Sequence, residues 1–385
     1  MIPEAVATLG AGRVQGLRDR LLAWRDRLLA SPGFHRWAAR FPLTRPVARR
    51  QAGALFDLCA GYVYAQVLAA CVDLRVFPIL ADGPLPIADL AARLALPRDS
   101  AERLCSAAVS LRLLERRGAD RIGLGMLGAA SLGNPGIAAM VRHGALLYGD
   151  LADPVALLRR GRGAGTGLSG FWPYAAGDGP TPETAEPYSR LMAASQPLVA
   201  DHVLDAYSFA HHRALLDVGG GDGTFLSAVA RRHPGLDLTL FDLPAVAGLA
   251  RDRFAREGLA GRAKTVGGSF LADPLPAGCD VATLIRVIHD HDDGPALRIL
   301  RAVRAALPAG GTLLLAEPMS GTAGAGRVGD AYFAFYLMAM GSGRARSAAD
   351  LTALLEAAGF TAIRPLATPI PLMTSLLVGR VPASA

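Results

Sequence analysis

A glycine-rich turn between a short apolar strand and a helix is the feature that most constrains this chain. The strand is predicted at residues 215–218, and the helix begins near Thr224. Gly219, Gly221 and Gly223 lie in the turn between them. Glycine lets the backbone approach a ligand closely, and the free N–H groups at a helix start point towards that ligand. The pattern therefore indicates a nucleotide-binding turn rather than a plain connection.

The spacing of these glycines bears on which nucleotide binds. A dinucleotide fingerprint reads G-x-G-x-x-G, whereas here the third glycine comes one residue early and Thr224 takes the last glycine's place. A pyrophosphate is thus not required, and S-adenosylmethionine is the natural alternative to the nicotinamide cofactor of a dehydrogenase. Asp242 ends the next predicted strand, residues 238–242, about 20 residues further on, where a carboxylate can accept hydrogen bonds from both ribose hydroxyls.

The charge of the chain is concentrated at one end. The 385 residues carry a net charge of +7, and residues 1–50 hold ten arginines against three acidic residues. The rest is neutral overall, which argues against a basic groove for nucleic acid. The four cysteines are scattered without metal-ligand spacing, and the first residues do not resemble a secretory signal. We therefore expect a reduced, cytoplasmic protein without a metal site.

The basic end has the composition of a helix that lies on a membrane. Residues 12–30 predict an amphipathic helix, whose apolar face would carry Val14, Leu17, Leu21, Trp24 and Leu28. Phe34, Trp37 and Phe41 follow among further arginines. Such a segment is typical of in-plane binding at a membrane surface, and a helix packed inside a dimer is the alternative. The most apolar run, residues 58–72, is too short to cross a bilayer.

Residues 76–125 have the pattern of a winged helix. A long apolar helix at 53–75 precedes two short helices, at 86–94 and 98–114, and a wing at 115–118. The second short helix carries mainly apolar side chains, which suit packing better than contacts to phosphates or bases. We therefore expect residues 53–130 to build a homodimer rather than to bind DNA, because they hold more apolar surface than one small domain can bury.

From residue 215 onward, strands and helices alternate. The predicted strands are 215–218, 238–242, 263–267, 280–285, 312–317, 361–366 and 373–379. Before them come a helical stretch at 132–160, a glycine-rich loop at 161–170, an aromatic cluster at 171–174 and a helix at 187–207. The alternation indicates an α/β fold with a parallel sheet and helices on both faces. The ligand is then expected at the carboxyl edge of the strands.

Two further loops, and the end of the fifth strand, should reach that edge. Ser269 and Phe270 follow the third strand, and can hydrogen-bond and stack on an adenine. His289 follows the fourth strand and is a candidate general base, although a lone histidine is more often structural. Glu317 ends the fifth strand and can hold an imidazole in one tautomer, or can be an ordinary solvated carboxylate.

Five ordered motifs resemble one enzyme family. LLDVGGGDG at 215–223, FDLP at 241–244, GSF at 268–270, RVIHD at 286–290 and AEP at 316–318 are similar to the plant-type, acetylserotonin-like small-molecule O-methyltransferases. The resemblance implies a winged-helix dimerisation domain at 51–190 and a Rossmann-like methyltransferase domain at 191–385. It implies His289 as the base and Glu317 as its support. It also implies a cofactor site at Asp217, Gly219, Gly221, Gly223, Asp242, Leu243, Ser269, Phe270 and Arg286.

The N-terminal half is similar to a narrower group. The stretches at 31–50, 171–175 and 192–207 resemble the carotenoid O-methyltransferases of purple photosynthetic bacteria. The resemblance implies an acyclic carotenoid with a tertiary hydroxyl as substrate; a flavonoid-like phenol is the alternative. Plant members carry a second acidic residue where Ala345 stands here. Candidates for an apolar substrate pocket, which are equally suited to a core or an interface, are Met192, Tyr332, Phe335, Tyr336, Met338 and Met340.

Overall fold

The N-terminal segment is helical. The computed structural model describes residues 5–163, 165–172, 181–371 and 374–383, and the segment forms α1 (Ala5–Leu29), α2 (Pro32–Arg40) and α3 (Arg45–Asp73). The break at Ser31 starts a new helix, because its Oγ accepts a hydrogen bond from the N–H of Phe34. Helix α3 begins eight residues before the predicted position 53, with a proline in its first turn, where the fixed φ of proline suits a helix.

Helix α3 is longer than the apolar run that predicted it. By length and composition, it is the one helix of the described chain that is able to cross a membrane. Its last turn, however, belongs to a protein core, since Cys71 and Val72 pack with Phe77 and Leu90. Only 11% of its apolar window is buried, so most of the helix surface is open to a partner.

A small winged helix follows α3. Its elements are α4 (Val76–Ile79), β1 (Leu85–Pro86), α5 (Ile87–Arg93), α6 (Arg98–Ser110), β2 (Leu114–Arg116), β3 (Arg121–Leu124) and α7 (Met126–Leu132). The strands form an antiparallel sheet in the order β1-β3-β2. Helix α6 ends before the predicted residue 114, because Leu114 pairs with Leu124 in the wing.

In the described residues, four helices connect the winged helix to the second domain. They are α8 (Pro135–Asp150), α9 (Pro154–Arg160), α10 (Gly167–Phe171) and α11 (Pro182–Ala206). Helix α10 lies in the predicted loop 161–170, where Thr166 and Ser169 form a capping box. Of the predicted aromatic cluster, residues 173 and 174 lie outside the described residues. The predicted boundaries at residues 50 and 190 fall within α3 and α11, so continuous helices join the three segments.

A seven-stranded sheet forms the second domain. Its strands are β4 (Ala214–Val218), β5 (Asp237–Asp242), β6 (Ala263–Gly267), β7 (Val281–Ile285), β8 (Thr312–Glu317), β9 (Thr361–Leu366) and β10 (Ser375–Arg380). They lie in the order β6-β5-β4-β7-β8-β10-β9. The strand that leads into the glycine turn, β4, is thus central, and it pairs in parallel with both β5 and β7.

The predicted parallel sheet is confirmed for most of its strands, with one antiparallel strand next to an edge. Strands β4 to β8 are parallel, but β10 runs antiparallel to both β8 and β9. A parallel pair needs a crossover of a dozen or more residues. Only residues 367–374 join β9 to β10, so the chain returns as an antiparallel pair.

Helices cover both faces of the sheet, as predicted. They are α11 together with α12 (Thr224–Arg232), α13 (Pro244–Arg256), α14 (Asp293–Ala306) and α16 (Ala348–Ala357), whereas α15 (Phe333–Met340) packs against α8 and α10. On one face, α11, α12 and α13 pack against the sheet around Val203, Phe225 and Phe254. On the other, α14 and α16 pack around Leu300 and Leu355. Each fully buried side chain of this size contributes about 1.5–3 kcal/mol, and together they hold the strand ends in place.

Candidate active site

The glycine turn connects β4 to α12 with a backbone that only glycine adopts easily. Gly219, Gly221 and Gly223 have φ values of 69°, 61° and 80°, in the left-handed region that disfavours other residues. A Cβ at Gly223 would also lie 2.7 Å from the ring of Phe254. The turn therefore requires glycine for its conformation and for its packing.

Asp242 links this turn to the neighbouring strand. Its carboxylate accepts hydrogen bonds from the N–H of Gly221 at 2.8 Å and the N–H of Leu243 at 2.7 Å. Burial raises its pKa to about 6, although both N–H groups oppose that shift. The carboxylate thus holds the turn in place, and Asp242 also lines the cavity beside it.

Asp217 lies deeper, at the end of β4. It is 1% exposed and accepts a hydrogen bond from the Thr283 hydroxyl at 2.6 Å. Burial raises its pKa to about 7. Its Oδ2 has no partner in the described structure, and a Cβ added at Gly220 would lie 2.7 Å from this oxygen. Asp217 therefore supports the turn from behind rather than lining the cavity.

A cavity of about 580 Å³ opens above the carboxyl ends of β4, β5 and β7. Of the predicted cofactor residues, those that line it are Gly219, Gly221, Asp242, Leu243, Ser269, Phe270 and Arg286. Gly223 and Asp217 lie behind its wall. Ser269 donates its N–H to Asp273 at 2.8 Å, and its Oγ accepts from the N–H of Leu271. These bonds hold the loop at the cavity rim.

Arg286 is a buried cation at the end of β7. Its φ of 58° lies in the left-handed region, which costs about 1–2 kcal/mol for a residue other than glycine. Its Nη1 donates to the Oγ of Ser195 at 3.0 Å, its Nη2 lies 3.5 Å from the sulfur of Met192, and its Nε has no partner in the described structure. Burial lowers its pKa. A buried guanidinium without a bound carboxylate is suited to an anionic group of a ligand.

His289 and Glu317 are joined at the ends of β7 and β8. The Nδ1 of His289 lies 2.5 Å from Oε2 of Glu317. The other oxygen, Oε1, accepts the N–H groups of Val287 at 3.0 Å and Ile288 at 2.6 Å. Glu317 is 1% exposed, so it is not a solvated carboxylate. It fixes both the imidazole and the backbone that carries it.

Asp290 is a site residue that the sequence reasoning missed. Its Oδ1 lies 3.2 Å from Nε2 of His289, and it lines the cavity. Burial raises its pKa to about 6. Burial by itself would lower the pKa of His289, but the charges of Asp290 and Glu317 outweigh burial and raise it. The position next to His289 at a strand end was the available signal.

Aromatic rings close one side of the cavity. The ring of His291 meets Phe270 edge to face at a centroid distance of 5.4 Å and lies 6.3 Å from Trp172. Burial, with the nearby His289, lowers the pKa of His291 to about 4. His291 is therefore neutral at neutral pH and presents an apolar wall.

The candidate pocket residues are divided between several places. Met192 lines the main cavity, whereas Met338 lines a separate cleft of about 320 Å³. Tyr336 and Met340 are buried in the α8–α15 core, where Phe335 also packs, and Tyr336 Oη lies 3.0 Å from Nε2 of His143. Tyr332 ends a π-helical turn before α15, so the five residues on 332–340 do not share one regular helix.

Phe333 is the aromatic residue of α15 whose ring contacts His289. Its ring lies edge to face with His289 at 5.7 Å. Phe333 was not among the candidate pocket residues, because its sequence position alone does not distinguish it from the neighbouring apolar residues. No group of three or more His, Cys, Asp or Glu side chains in the described parts of the chain is arranged to hold a metal ion.

Two family models match the sequence. The O-methyltransferase domain matches residues 148–361, and the O-methyltransferase dimerisation domain matches residues 56–128. The chain is 46% identical over 340 residues to demethylspheroidene O-methyltransferase of Cereibacter sphaeroides, which covers 88% of this chain and 89% of that protein. It is 31% identical over 331 residues to acetylserotonin O-methyltransferase of Mus musculus, covering 81% and 84%.

Solved structures of methyltransferases have the same fold. Mitomycin 7-O-methyltransferase MmcR superposes with a TM-score of 0.71 at 27% identity, covering 87% of this chain and 100% of that one. CalO1, a methyltransferase of calicheamicin biosynthesis in its SAH-bound form, has a TM-score of 0.67 at 28% identity and covers 87% and 98%.

Proposed function

The chain belongs to the S-adenosylmethionine-dependent O-methyltransferase family, and on this premise we propose that it methylates the hydroxyl group of an acyclic carotenoid. The acceptor would be of the demethylspheroidene or hydroxyneurosporene type. The observation that carries this proposal is the 46% identity to demethylspheroidene O-methyltransferase over nearly nine tenths of both proteins. A second such enzyme, from Rhodobacter capsulatus, is 45% identical over 91% of the chain.

The cavity residues fit S-adenosylmethionine by their chemistry. The buried guanidinium of Arg286 would bind the carboxylate of the methionine part, because its Nε–H donor has no partner in the described structure. Asp242 would accept the ribose hydroxyls, and Phe270 would contact the adenine. The glycine turn, with Gly219 and Gly221 at the cavity wall, leaves room for the chain of the cofactor. The bound sulfonium supplies an activated methyl group, so the protein has to align the acceptor and remove a proton.

His289 is proposed to take that proton. Its Nδ1 is held by Glu317, so Nε2 is the nitrogen that would take the proton. A tertiary alcohol is a weak acid, and loss of its proton must accompany formation of the C–O bond. Asp290 lies beside Nε2, and its charge raises the pKa of His289, which makes the imidazole a stronger base. Glu317 then stabilises the imidazolium that forms.

An acceptor of another class is the second candidate. The relatives near 30% identity include a 3-hydroxy-5-methyl-1-naphthoate 3-O-methyltransferase of Streptomyces sahachiroi, a protein named for a phenolic acceptor. Incubation of the enzyme with S-adenosylmethionine and a panel of hydroxylated carotenoids and phenols tests both candidates. We expect a mass gain of one methyl group on the carotenoid; methylation of phenols alone would contradict the proposal.

The N-terminal segment is proposed to bind a membrane surface, where a carotenoid is located. Leu17, Leu21 and Trp24 on α1 are 59–62% exposed, although α1 as a whole is only weakly amphipathic. On and after α2, the ring of Trp37 stacks on Phe41 at a centroid distance of 5.2 Å and lies tilted against Phe34 at 5.7 Å. Exposed aromatic and aliphatic side chains among arginines suit an anionic lipid surface.

The protein is further proposed to work as a homodimer of cytoplasmic, peripherally bound subunits. The matched dimerisation domain supports the dimer. Leu55, Phe56, Leu58 and Tyr62 on α3 are 64–76% exposed and offer an apolar face beside that domain. We also propose the domain boundaries at residues 50 and 190. A substrate-binding role for the residues on α15 is proposed as well.

A further inference from the structure

The loop that carries the proposed base is held by one short segment of the chain. The four consecutive backbone carbonyls of residues 288–291 all accept hydrogen bonds from residues 342–346. In order along the loop, the bonds are Arg346 Nη1 to Ile288 O (2.8 Å), Arg344 N–H to His289 O (2.9 Å), Ser342 Oγ to Asp290 O (2.8 Å) and Arg346 Nη2 to His291 O (2.7 Å). The loop backbone is therefore fixed on both sides of His289.

Arg346 supplies two of these four bonds and is deeply buried. Its side chain is 1% exposed, and its charge is balanced by Asp293, whose Oδ1 accepts from Nε at 2.9 Å and from Nη2 at 2.7 Å. Burying a charged group is costly unless it is paired and hydrogen-bonded. The planar guanidinium reaches two carbonyls and a carboxylate at once, which a lysine ammonium cannot do in the same geometry.

The segment approaches the loop as closely as the backbone allows. A Cβ at Gly343 would lie 2.1 Å from the carbonyl oxygen of His289, and the φ of Gly343 is 79°. On its other side, the segment is tied to the chain after β8, because Ser320 donates its N–H to the carbonyl of Arg346 at 3.0 Å. Glu317, which holds the imidazole, ends β8. The segment 342–346, which holds the loop carbonyls, is therefore tied to the same strand.

We propose that Arg346 is a positioning residue for methyl transfer, which fixes the backbone of residues 288–291 and so places His289 and Asp290 against the acceptor hydroxyl. The inference rests on the proposed role of His289 as the base. Arg346 does not line the main cavity and acts through the loop. A displacement of about 1 Å in a reacting group can cost roughly 100-fold in rate, so loss of two carbonyl bonds should be felt mainly in the chemical step.

Arg262 offers a matched control. Its guanidinium also caps backbone carbonyls, with Nη1 2.8 Å from His233 O and Nη2 2.9 Å from Ala230 O. It lies just before β6, at the opposite edge of the sheet from the cavity. Arg262→Lys therefore measures how the loss of two guanidinium–carbonyl bonds affects the stability of the protein, at a site that does not contact His289.

The test compares Arg346→Lys with Arg262→Lys in single-turnover methyl transfer to the acceptor, with the rate expressed per S-adenosylmethionine-binding site. We expect about a 100-fold slower rate for Arg346→Lys, with cofactor affinity unchanged, and a normal rate for Arg262→Lys. A normal rate per site for Arg346→Lys, or an equal loss in both variants, would overturn the proposal.

Ser342→Ala provides a second variant that removes only the bond to Asp290 O. Its expected loss is roughly 2- to 13-fold in the same rate, as for one hydrogen bond. If Arg346→Lys does not fold, an unchanged rate in Ser342→Ala overturns the proposal, and a loss with normal cofactor affinity supports it. Full activity of His289→Ala would instead refute the base assignment, so the two failures are distinguishable.

Discussion

The imidazole of His289 and the carboxylate of Glu317 are joined across two neighbouring parallel strands, with Nδ1 and Oε2 2.5 Å apart. A carboxylate can only accept, so this contact places a proton on Nδ1. The other nitrogen, Nε2, lies 3.2 Å from Oδ1 of Asp290, so a charged ring is held from both sides, and Nε2 can accept a proton only once the ring is neutral. The carboxylate of Glu317 also accepts the N–H groups of Val287 and Ile288. One buried side chain thus sets the tautomer, the ring orientation and the backbone of the proposed base.

Replacement of the base should separate chemistry from binding. His289→Ala is expected to lower single-turnover methyl transfer by about 10²–10⁴-fold, the usual range for loss of a general base. Cofactor affinity by titration calorimetry should stay near that of the wild type, because His289 makes no contact with the glycine turn. A normal rate of transfer would mean that the proton leaves by another route.

Removal of the neighbouring charge should shift the pH dependence of the reaction. Asp290 and Glu317 raise the pKa of His289, so the neutral ring that accepts a proton forms only at higher pH. Asp290→Asn removes one of these charges, lowers the pKa of His289 and should move the acidic limb of the kcat/KM profile to lower pH. A limb that stays in place, or moves upward, would show that His289 does not control it.

Asp242 should be needed for cofactor binding. Loss of two hydrogen bonds to the ribose hydroxyls in Asp242→Ala predicts roughly 5- to 150-fold weaker binding of S-adenosylmethionine by calorimetry, and the bond to Gly221 N–H is lost as well. Asp237 is an exposed carboxylate at the other end of the same strand, and Asp237→Ala is the control. Equal affinities for the two variants would refute the ribose assignment.

Cofactor affinity should also depend on the ionisation of Asp242. Its pKa in the free protein is raised to about 6 by burial, and only the carboxylate can accept both ribose hydroxyls. The affinity for S-adenosylmethionine is therefore expected to weaken as the pH falls through about 6 and to be constant above it. Calorimetry between pH 5 and 8 measures this dependence. Affinity that rises towards pH 5 would contradict this assignment.

Membrane binding should depend on the aromatic residues of the N-terminal helices. Full-length protein is expected to sediment with anionic vesicles, and less so as salt is added, because surface charges are screened within about 8 Å at physiological ionic strength. Replacing Trp24 and Trp37 together by serine should abolish sedimentation. Leu158→Ser, a change at an exposed apolar residue of α9, is the control, and equal sedimentation of all three proteins would place the contact elsewhere.

The dimer should depend on the exposed face of α3. Light scattering at micromolar concentration is expected to give twice the mass of the chain for the wild type and the mass of one chain for Phe56→Asp/Leu58→Asp. A charge buried in an apolar interface is costly, whereas on an open surface it is not. A monomeric wild type, or an undisturbed dimer of the variant, would count against this face.

Much of the organisation of the second domain could be predicted from local sequence patterns. The bounds of α12, β6, β8 and β9 agree with those predicted, because alternating apolar runs and glycine turns depend on near neighbours in the sequence. Strand-end residues such as Asp242, His289 and Glu317 could be assigned to one edge, since parallel strands bring their carboxyl ends together. The antiparallel β10 was not predicted, because strand direction depends on the connection and not on the strand.

What depended on distant contacts was decided by the tertiary structure alone. The place of Asp290 beside His289 Nε2 follows from the short 3₁₀ turn at 288–290, which has no sequence signature. The contact between Phe333 and His289 was not predicted either, since Phe333 directly follows a π-helical turn that the regular helical period does not describe. The bonds from Arg346 join residues more than fifty positions apart. Sequence periodicity reports how a segment divides between core and solvent, but not which segment lies opposite, because that choice is made by the packing of the whole domain.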